Sequence, residues 1–465
     1  MLKVANDVFG EDNFINVITV KTKIGGVSGS SEGKSLKDAT EFVGVFAKNK
    51  ANLQFNPVYL KQKLFSRIQN YEAEGKSWKY TSVMSKLDGK ELIKDDTAHG
   101  MKYYGYKVLE TMSISAFARA NGISEEEVYN RYADRIFQTT NAQSSVRQTV
   151  MKETANVDYP MIGLEYVPIK GKNEGNTIEI LYKGEQRRMM MFLSDAVEKI
   201  DGEYYYLDKI TTLWDDIQYN NLSKEGRIEF PNGKKPIKLL QRIIELSTDE
   251  EDIIMDFFSG SASTAHAVLQ ENAEKGSRRK FIMVQLPEKT DVTSDYYKNG
   301  WETICDIGKE RIRRAGEQIR EEAPLMTQKL DTGFRVLKLD DTNMTDVYYA
   351  AEDYTQDMLS LFESNVKADR TDLDLLFGCL LEWGLPLSLP YTSETIEGCT
   401  VHTYNDGDLI ACFDENIPDS VIKTIAKKQP LRAVFRDSSF ANSPSKINVG
   451  EVFKLLAPDT RVKVL

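Results

Sequence analysis

Two carboxylates, Asp256 and Glu288, stand at the ends of two short apolar runs, with a stretch of small residues between them. The first run, Ile253-Ile254-Met255, ends at Asp256 and passes through Phe257-Phe258-Ser259-Gly260-Ser261-Ala262-Ser263-Thr264 into Ala265-His266-Ala267-Val268. The second, Phe281 to Leu286, ends at Pro287-Glu288. An apolar run, a small-residue turn and a helix-forming segment read as strand, tight turn and helix. Gly260 lets a ligand approach the backbone closely, and the unpaired N–H groups of a helix start face whatever lies above the strand end. A carboxylate at the tip of the next parallel strand suits the two hydroxyls of a ribose, so the pair reads as half of a doubly wound nucleoside-binding sheet. The third glycine of a dinucleotide fingerprint is missing, with Ser263 and Thr264 in its neighbourhood. That disfavours a nicotinamide or flavin and favours a nucleoside without a diphosphate, such as S-adenosylmethionine. A turn made only for packing is the alternative.

Upstream, Pro236 suits the first turn of a helix from Ile237 to Ser247, with Leu239, Leu240, Ile243 and Ile244 expected on one face. Downstream, a charged helix from about Trp301 to Glu322 is expected to cover the sheet, its Arg311, Arg313, Arg314 and Arg320 forming mainly a solvated face.

Asp256 to Val268, the Gln285-Leu286-Pro287-Glu288 ending and Lys234-Lys235-Pro236-Ile237-Lys238-Leu239-Leu240 resemble the cofactor-binding motifs of N6-adenine DNA methyltransferases. More narrowly they resemble the modification (Mod) subunit of type III restriction-modification systems. The resemblance implies an α/β fold: a Rossmann-like S-adenosylmethionine-dependent methyltransferase sheet, incomplete at the N-terminus, an inserted α+β target-recognition domain and a small C-terminal α/β domain. It implies S-adenosyl-L-methionine as cofactor, held by Asp256, Phe258, Gly260, Ser261, Thr264 and Glu288, with Lys235 and Pro236 on the element beside its methionine end. It also implies double-stranded DNA, a Mod homodimer and a helicase-nuclease restriction subunit as partners. The family turn is Phe-x-Gly-Ser-Gly-Thr-Thr; here Ala262 replaces the second glycine, and a methyl group there crowds the ligand or demands another backbone conformation.

Methylation of an adenine amino group needs a group that orients the exocyclic nitrogen for in-line transfer from a sulfonium. The family uses Asp-Pro-Pro-Tyr, which accepts the amino hydrogens and stacks on the flipped base. The 465 residues contain no Pro-Pro dipeptide, and Ser388-Leu389-Pro390-Tyr391 is a decoy with Leu389 where a proline must stand. No catalytic residue is assigned. The chain is expected to start partway through the catalytic domain and to be inactive alone, the missing segment coming from a separate N-terminal fragment. The alternative is a non-catalytic DNA-recognition subunit that keeps a nucleoside-binding fold.

The domain boundaries expected are 1–52 for the remaining first part of the methyltransferase domain, 53–225 for the recognition insertion, 226–325 for the cofactor part and 330–465 for a C-terminal interaction domain. In the first, strands at Ile15–Thr22 and Glu41–Ala47 flank Gly25 to Ser35, in which only Gly33-Lys34-Ser35 matches a phosphate loop and Ser28 stands where glycine is needed. A polar loop beside the target-base pocket is the reading that the resemblance implies. In the second, Lys76-Ser77-Trp78-Lys79-Tyr80 and Lys102-Tyr103-Tyr104-Gly105-Tyr106-Lys107 interleave cations with rings, as a nucleic-acid surface does. Helices are expected at Ser115–Asn121 and Ser124–Arg135, the latter opened by a Ser124/Glu127 capping box. The β-rich piece Ile178 to Phe192 carries Arg187 and Arg188, read as a solvated strand face or as phosphate contacts. The C-terminal pattern gives helices at Leu373–Trp383, Ser420–Lys428 and Val449–Leu456 and strands at Leu409–Phe413, Leu431–Phe435 and Val462–Leu465.

The net charge of −11 is unevenly placed: residues 321–465 hold 24 acids and 14 bases, leaving the first 320 residues at −1. A near-neutral body can still present a basic face, and the acidic tail reads as a protein-contact module. Four separated cysteines and three histidines (His99, His266, His402) argue for reduced thiols and against a metal site. Mean hydropathy is −0.43 and no apolar run reaches membrane-spanning length, so a cytoplasmic protein is expected.

Overall fold

A computed structural model describes the chain except for Met1 and residues 23–37, 143, 170–172, 220–221, 229, 231–233, 325–326, 329, 346–365 and 441–442. The polar loop Gly25 to Ser35 therefore lies outside the described residues. Two compact units result, Met1–Thr332 and Gly333–Leu465. Both mix helices and strands, and several separate sheets are present.

In the first unit a helix, Leu2–Phe9, precedes a strand at Phe14–Lys21, which pairs antiparallel to Thr40–Phe46 on one side and parallel to the short Leu213–Trp214 on the other. Its inner face buries Ile18 and Val20 against Trp214, Ile217 and Leu239. A distinct two-stranded parallel sheet, Ile253–Asp256 beside Lys280–Met283, lies further along the chain. The helix Ile237–Ser247 joins the two. Leu239, Ile243 and Leu246 pack toward the first sheet, while Ile237, Leu240 and Ile244 pack with Ala267, Val268, Ile254 and Phe281 of the second. The single apolar face expected of this helix is thus two faces, because it is covered on both sides. Its position is further fixed by Arg242, whose guanidinium donates to both oxygens of Asp216 (2.8 and 2.6 Å) and lies over the Trp214 ring. Asn56 donates to the carbonyls of Glu245 and Thr248 at its C-terminal end. Ile253, Met255 and Ile282 of the parallel pair, and Val284 just beyond it, are exposed.

Between the two sheets in sequence lies an antiparallel six-stranded closed barrel, in the order Ser82–Asp96, Met101–Ser113, Met161–Tyr166, Ile178–Lys183, Arg188–Phe192 and Ile136–Thr140, the last closing onto the first. Alternation sends Tyr106, Phe137, Met161, Leu181 and Met190 into one core cluster. Helices Ile114–Asn121 and Glu125–Arg131 pack at its side, the second with the expected capping box, Glu127 N–H to Ser124 Oγ (3.1 Å) and Ser124 N–H to Glu127 Oε2 (3.2 Å).

The second unit is a five-stranded sheet in sequence order: Tyr391–Ile396, Cys399–Tyr404, Leu409–Cys412, Arg432–Phe435 and Arg461–Val464. The first two pairings are antiparallel and the last two parallel, the parallel strands connected through helices Asp419–Lys427 and Ser443–Leu456. Those helices cover one face; Asp372–Glu382 covers the other. Among the described residues no helix is long and apolar enough to cross a membrane, and no group of three or more His, Cys, Asp or Glu is arranged to hold a metal ion.

Candidate functional site

The parallel strands set Asp256 opposite Met283. Beyond their ends the pairing continues by one step each, Val284 N–H donating to Asp256 O (2.8 Å) and Ser259 N–H to Val284 O (3.2 Å). The chain then turns into the helix Ser263–Lys275 through two left-handed residues, Gly260 (φ +50°) and Ala262 (φ +57°). Glycine enters this region freely, whereas alanine does so at a cost of about 1–2 kcal/mol. Ala262 therefore occupies a conformation that favours the glycine of the related turns.

The Asp256 carboxylate is tied at both oxygens: Phe258 N–H donates to Oδ1 (3.1 Å) and the Thr264 hydroxyl to Oδ2 (2.6 Å). Each carboxylate oxygen accepts two hydrogen bonds, so acceptor capacity remains for a ligand. Beside it opens a hollow of about 240 Å3, walled by Leu240, Ile243, Ile244, Ile254, Met255, Phe257 and Phe258 together with Asp256 and Thr264. The Phe257 and Phe258 rings stand 5.1 Å apart, and both are exposed.

Behind the turn lies a buried polar cluster. Arg311, with a side chain 0% exposed, donates to Ser261 Oγ (3.0 Å) and Ser263 Oγ (2.8 Å), and its other terminal nitrogen lies 3.9 Å from Glu225 Oε2. Burial pushes Arg311 down to about 10, leaving it charged at neutral pH, and raises the Glu225 carboxyl. Glu225 also accepts from Ile237 N–H at the start of the helix Ile237–Ser247 (3.2 Å). His266, one turn into the helix, is pushed down to about 3 by burial and by the nearby cations Arg311 and Lys234, so it is neutral. Two glycines make room: a Cβ on Gly226 would stand 3.0 Å from Arg311, and one on Gly308 3.3 Å from the Gly260 carbonyl oxygen.

Asp256, Phe258 and Thr264 are thus brought together around the hollow. Gly260 and Ser261 lie in the turn, but the Gly260 amide is taken by Gln285 Oε1 (2.8 Å) and the Ser261 hydroxyl faces Arg311. Glu288 is exposed, its carbonyl accepting from Ile304 N–H (2.9 Å), and it does not line the hollow. Lys235 pairs with Glu41 (2.7 Å), on the strand Thr40–Phe46, and Tyr219 donates to the same carboxylate (3.3 Å). Pro236 caps the helix Ile237–Ser247, its carbonyl accepting from the N–H groups of Leu239 and Leu240. The solvated face expected for the arginines of the helix Ile304–Glu322 is corrected at Arg311, the residue that holds the turn. The signal was present: Ile307, Gly308, Arg311, Ile312, Ala315 and Ile319 share a 3–4 spacing, which places Arg311 on the inward stripe.

Residues 1–315 match the family model described as DNA methylase, of N6 and N4 methyltransferases. The chain is 49% identical over 270 residues to a probable type III restriction-modification enzyme HindVI Mod subunit of Haemophilus influenzae, a match covering 58% of this chain and 36% of that protein. It is 32% identical over 293 residues to the EcoP15I Mod subunit of Escherichia coli, covering 60% and 42%. A type II methyltransferase, M.KpnI of Klebsiella pneumoniae, is 30% identical over 110 residues, covering 22% and 26%. The matches with the two Mod subunits span about two-fifths of their length or less. With the match extending over more than half of its residues, the chain belongs to the N6/N4 DNA methylase family.

Proposed function

We propose that this chain is the site-specific DNA (adenine-N6) methyltransferase chain of a type III restriction-modification system, using S-adenosyl-L-methionine and acting on double-stranded DNA. The observation that carries it is Asp256: a carboxylate at a parallel strand tip, with spare acceptor sites, facing an apolar and aromatic hollow, on a chain of this family. The donor set fits the cofactor. A ribose offers two hydroxyls to the carboxylate, and a purine offers a planar face to Phe257 or Phe258. At about 240 Å3 the hollow is smaller than the roughly 300–1,000 Å3 of pockets that enclose a whole drug-sized ligand, so it takes one end of the nucleoside.

Bound there, S-adenosyl-L-methionine supplies an electrophilic methyl on a sulfonium. The residues of this chain bind and orient it: Thr264 and the Phe258 amide fix the carboxylate, and Arg311 fixes the turn through Ser261 and Ser263. In the same reading residues 53–225 recognise the DNA, residues 226–325 belong with 1–52 to a Rossmann-like methyltransferase domain, and 330–465 is an interaction domain. Gly260, Glu288, Lys235 and Pro236 complete the proposed cofactor site, although they do not line the hollow. A second Mod copy and a helicase-nuclease restriction subunit are the partners that the resemblance supports, in the cytoplasm. Titration calorimetry with S-adenosyl-L-methionine tests the reading: saturable binding that is weakened in Asp256→Ala is expected, and absence of binding by the unaltered chain overturns it.

A further inference from the structure

The barrel carries a cleft of about 740 Å3 at the end where three separate segments meet, 77–82, 137–139 and the hairpin turn 183–188. Elsewhere on the barrel four lysines are paired: Lys90 with Glu179, Lys94 with Glu153, Lys102 with Glu165 and Lys107 with Glu91. Among the described residues Lys79, Lys183 and Arg188 have no acidic partner; Lys183 sits over the Phe137 ring (5.5 Å), and Arg188 makes one long contact with the Thr139 carbonyl (3.4 Å). The exposed Gln186 side chain has no hydrogen-bond partner among the described residues, whereas Gln138, in the cleft wall beside Thr139, is hydrogen-bonded to the Tyr80 hydroxyl. Glu185 is the acid that lines the cleft, against three cations.

The turn that presents Gln186 and Arg188 is rigid. Between them Arg187 is in the left-handed region (φ +45°) and 5% exposed. Its guanidinium donates to Thr154 Oγ1 and to the carbonyls of Thr154, Val157, Tyr159 and Gly184, at 2.9 to 3.4 Å. Arg147 donates to the carbonyls of Gln186 and Arg187 (2.7 and 2.9 Å). A strained turn pinned by two arginines holds its neighbours in fixed directions, as a reader of base edges requires.

We propose that this cleft reads the target duplex: Gln186 and Arg188 contact base edges and determine sequence specificity, while Lys79 and Lys183 contact phosphates. The amide matches the adenine N6/N7 edge and the guanidinium the guanine O6/N7 edge. This rests on the DNA methyltransferase reading above and adds to it the residues that choose the site.

The test is selection of bound duplexes from a randomised double-stranded DNA pool by the full chain, followed by anisotropy titration of the selected duplex. The unaltered chain is expected to enrich one sequence. Gln186→Ala and Arg188→Ala, both at exposed positions, should lose about 5- to 150-fold in affinity for it and relax the preference at one or two base pairs. Lys79→Ala should weaken binding evenly across sequences and reduce the slope of log affinity against log salt by about one. Lys94→Ala, at a paired lysine away from the cleft, serves as the control and should leave the preference unchanged. Enrichment of the same sequence with the same preference by all cleft variants overturns the inference and leaves the methyltransferase reading standing. Enrichment of no sequence by the unaltered chain overturns both.

Discussion

The hydroxyl of Thr264 donates to Oδ2 of Asp256 at 2.6 Å, joining the tip of a strand to the first turn of the helix that follows. With the Phe258 amide on Oδ1, it fixes the carboxylate plane without using all of its acceptor capacity. A hydrogen bond to a charged group contributes about 1.5–3 kcal/mol, so Asp256→Ala should lower affinity for S-adenosyl-L-methionine by about 10- to 150-fold. Thr264→Val keeps the charge but frees its orientation, and a smaller loss of a few-fold is expected. Calorimetry checks both; equal affinities in all three proteins would remove Asp256 from the site.

The left-handed backbone at Ala262 gives a second expectation. Ala262→Gly relieves about 1–2 kcal/mol of strain but adds chain entropy to the unfolded state and removes a buried methyl, together about the same amount. Its stability should stay within about 1 kcal/mol of the unaltered chain. A β-branched residue gains no such compensation, and Ala262→Val should lose about 2–3 kcal/mol in urea unfolding. Equal stability of the two variants would contradict the turn as described.

Arg311 is a buried charge whose nearest acid is 3.9 Å away and whose strongest bonds go to two serine hydroxyls. Truncation empties a fully buried volume and strands Glu225, Ser261 and Ser263. Arg311→Ala should therefore cost about 3–5 kcal/mol, and cofactor affinity should fall with it, because the turn loses its support. Arg313→Ala, exposed on the same helix, should change stability by less than about 0.5 kcal/mol. Thermal and urea unfolding of the pair decide the matter.

The parts of this site that the sequence makes legible are those with a strong local pattern. The strand, the turn and the helix between Ile253 and Lys275 follow from an apolar run, small residues and an Ala-rich segment, and the helix Ile237–Ser247 lies where its spacing puts it. What the sequence hides is set by long-range contact. Leu239 and Leu240 are adjacent on one helix yet serve different cores, because a sheet lies on each side. The barrel is invisible residue by residue: its strands pair across as many as 63 positions, as Lys102 with Glu165, and only closure makes their alternation a common interior. Arg187 and Arg188 are neighbours of one type, and a left-handed turn sends the first inward and leaves the second in solvent. The strands Tyr391–Ile396 and Cys399–Tyr404 carry too many polar residues to be picked out by alternation; pairing with Leu409–Cys412 orders them.

His266 supplies a pH-dependent prediction whose sign is set by burial. Its folded-state value is depressed to about 3, whereas an unfolded histidine titrates near 6.5. Above about pH 6.5 both states are neutral and the group contributes no pH dependence. Below it the unfolded chain takes up a proton that the native structure refuses, so stability falls by about 1.4 kcal/mol per pH unit until the native imidazole itself protonates near pH 3. Between pH 7.5 and pH 5.0 this amounts to a loss of about 2 kcal/mol from one residue. His266→Gln places a neutral group of similar reach beside Gly226 and Arg311 and cannot titrate. Unfolding free energies from urea titrations of both proteins at the two pH values isolate the effect: the difference between unaltered chain and variant should shift by about 2 kcal/mol against the unaltered chain on acidification. A difference that stays constant would show that His266 takes up a proton inside the fold, and the buried cluster behind the turn would then have to hold three cations around Glu225.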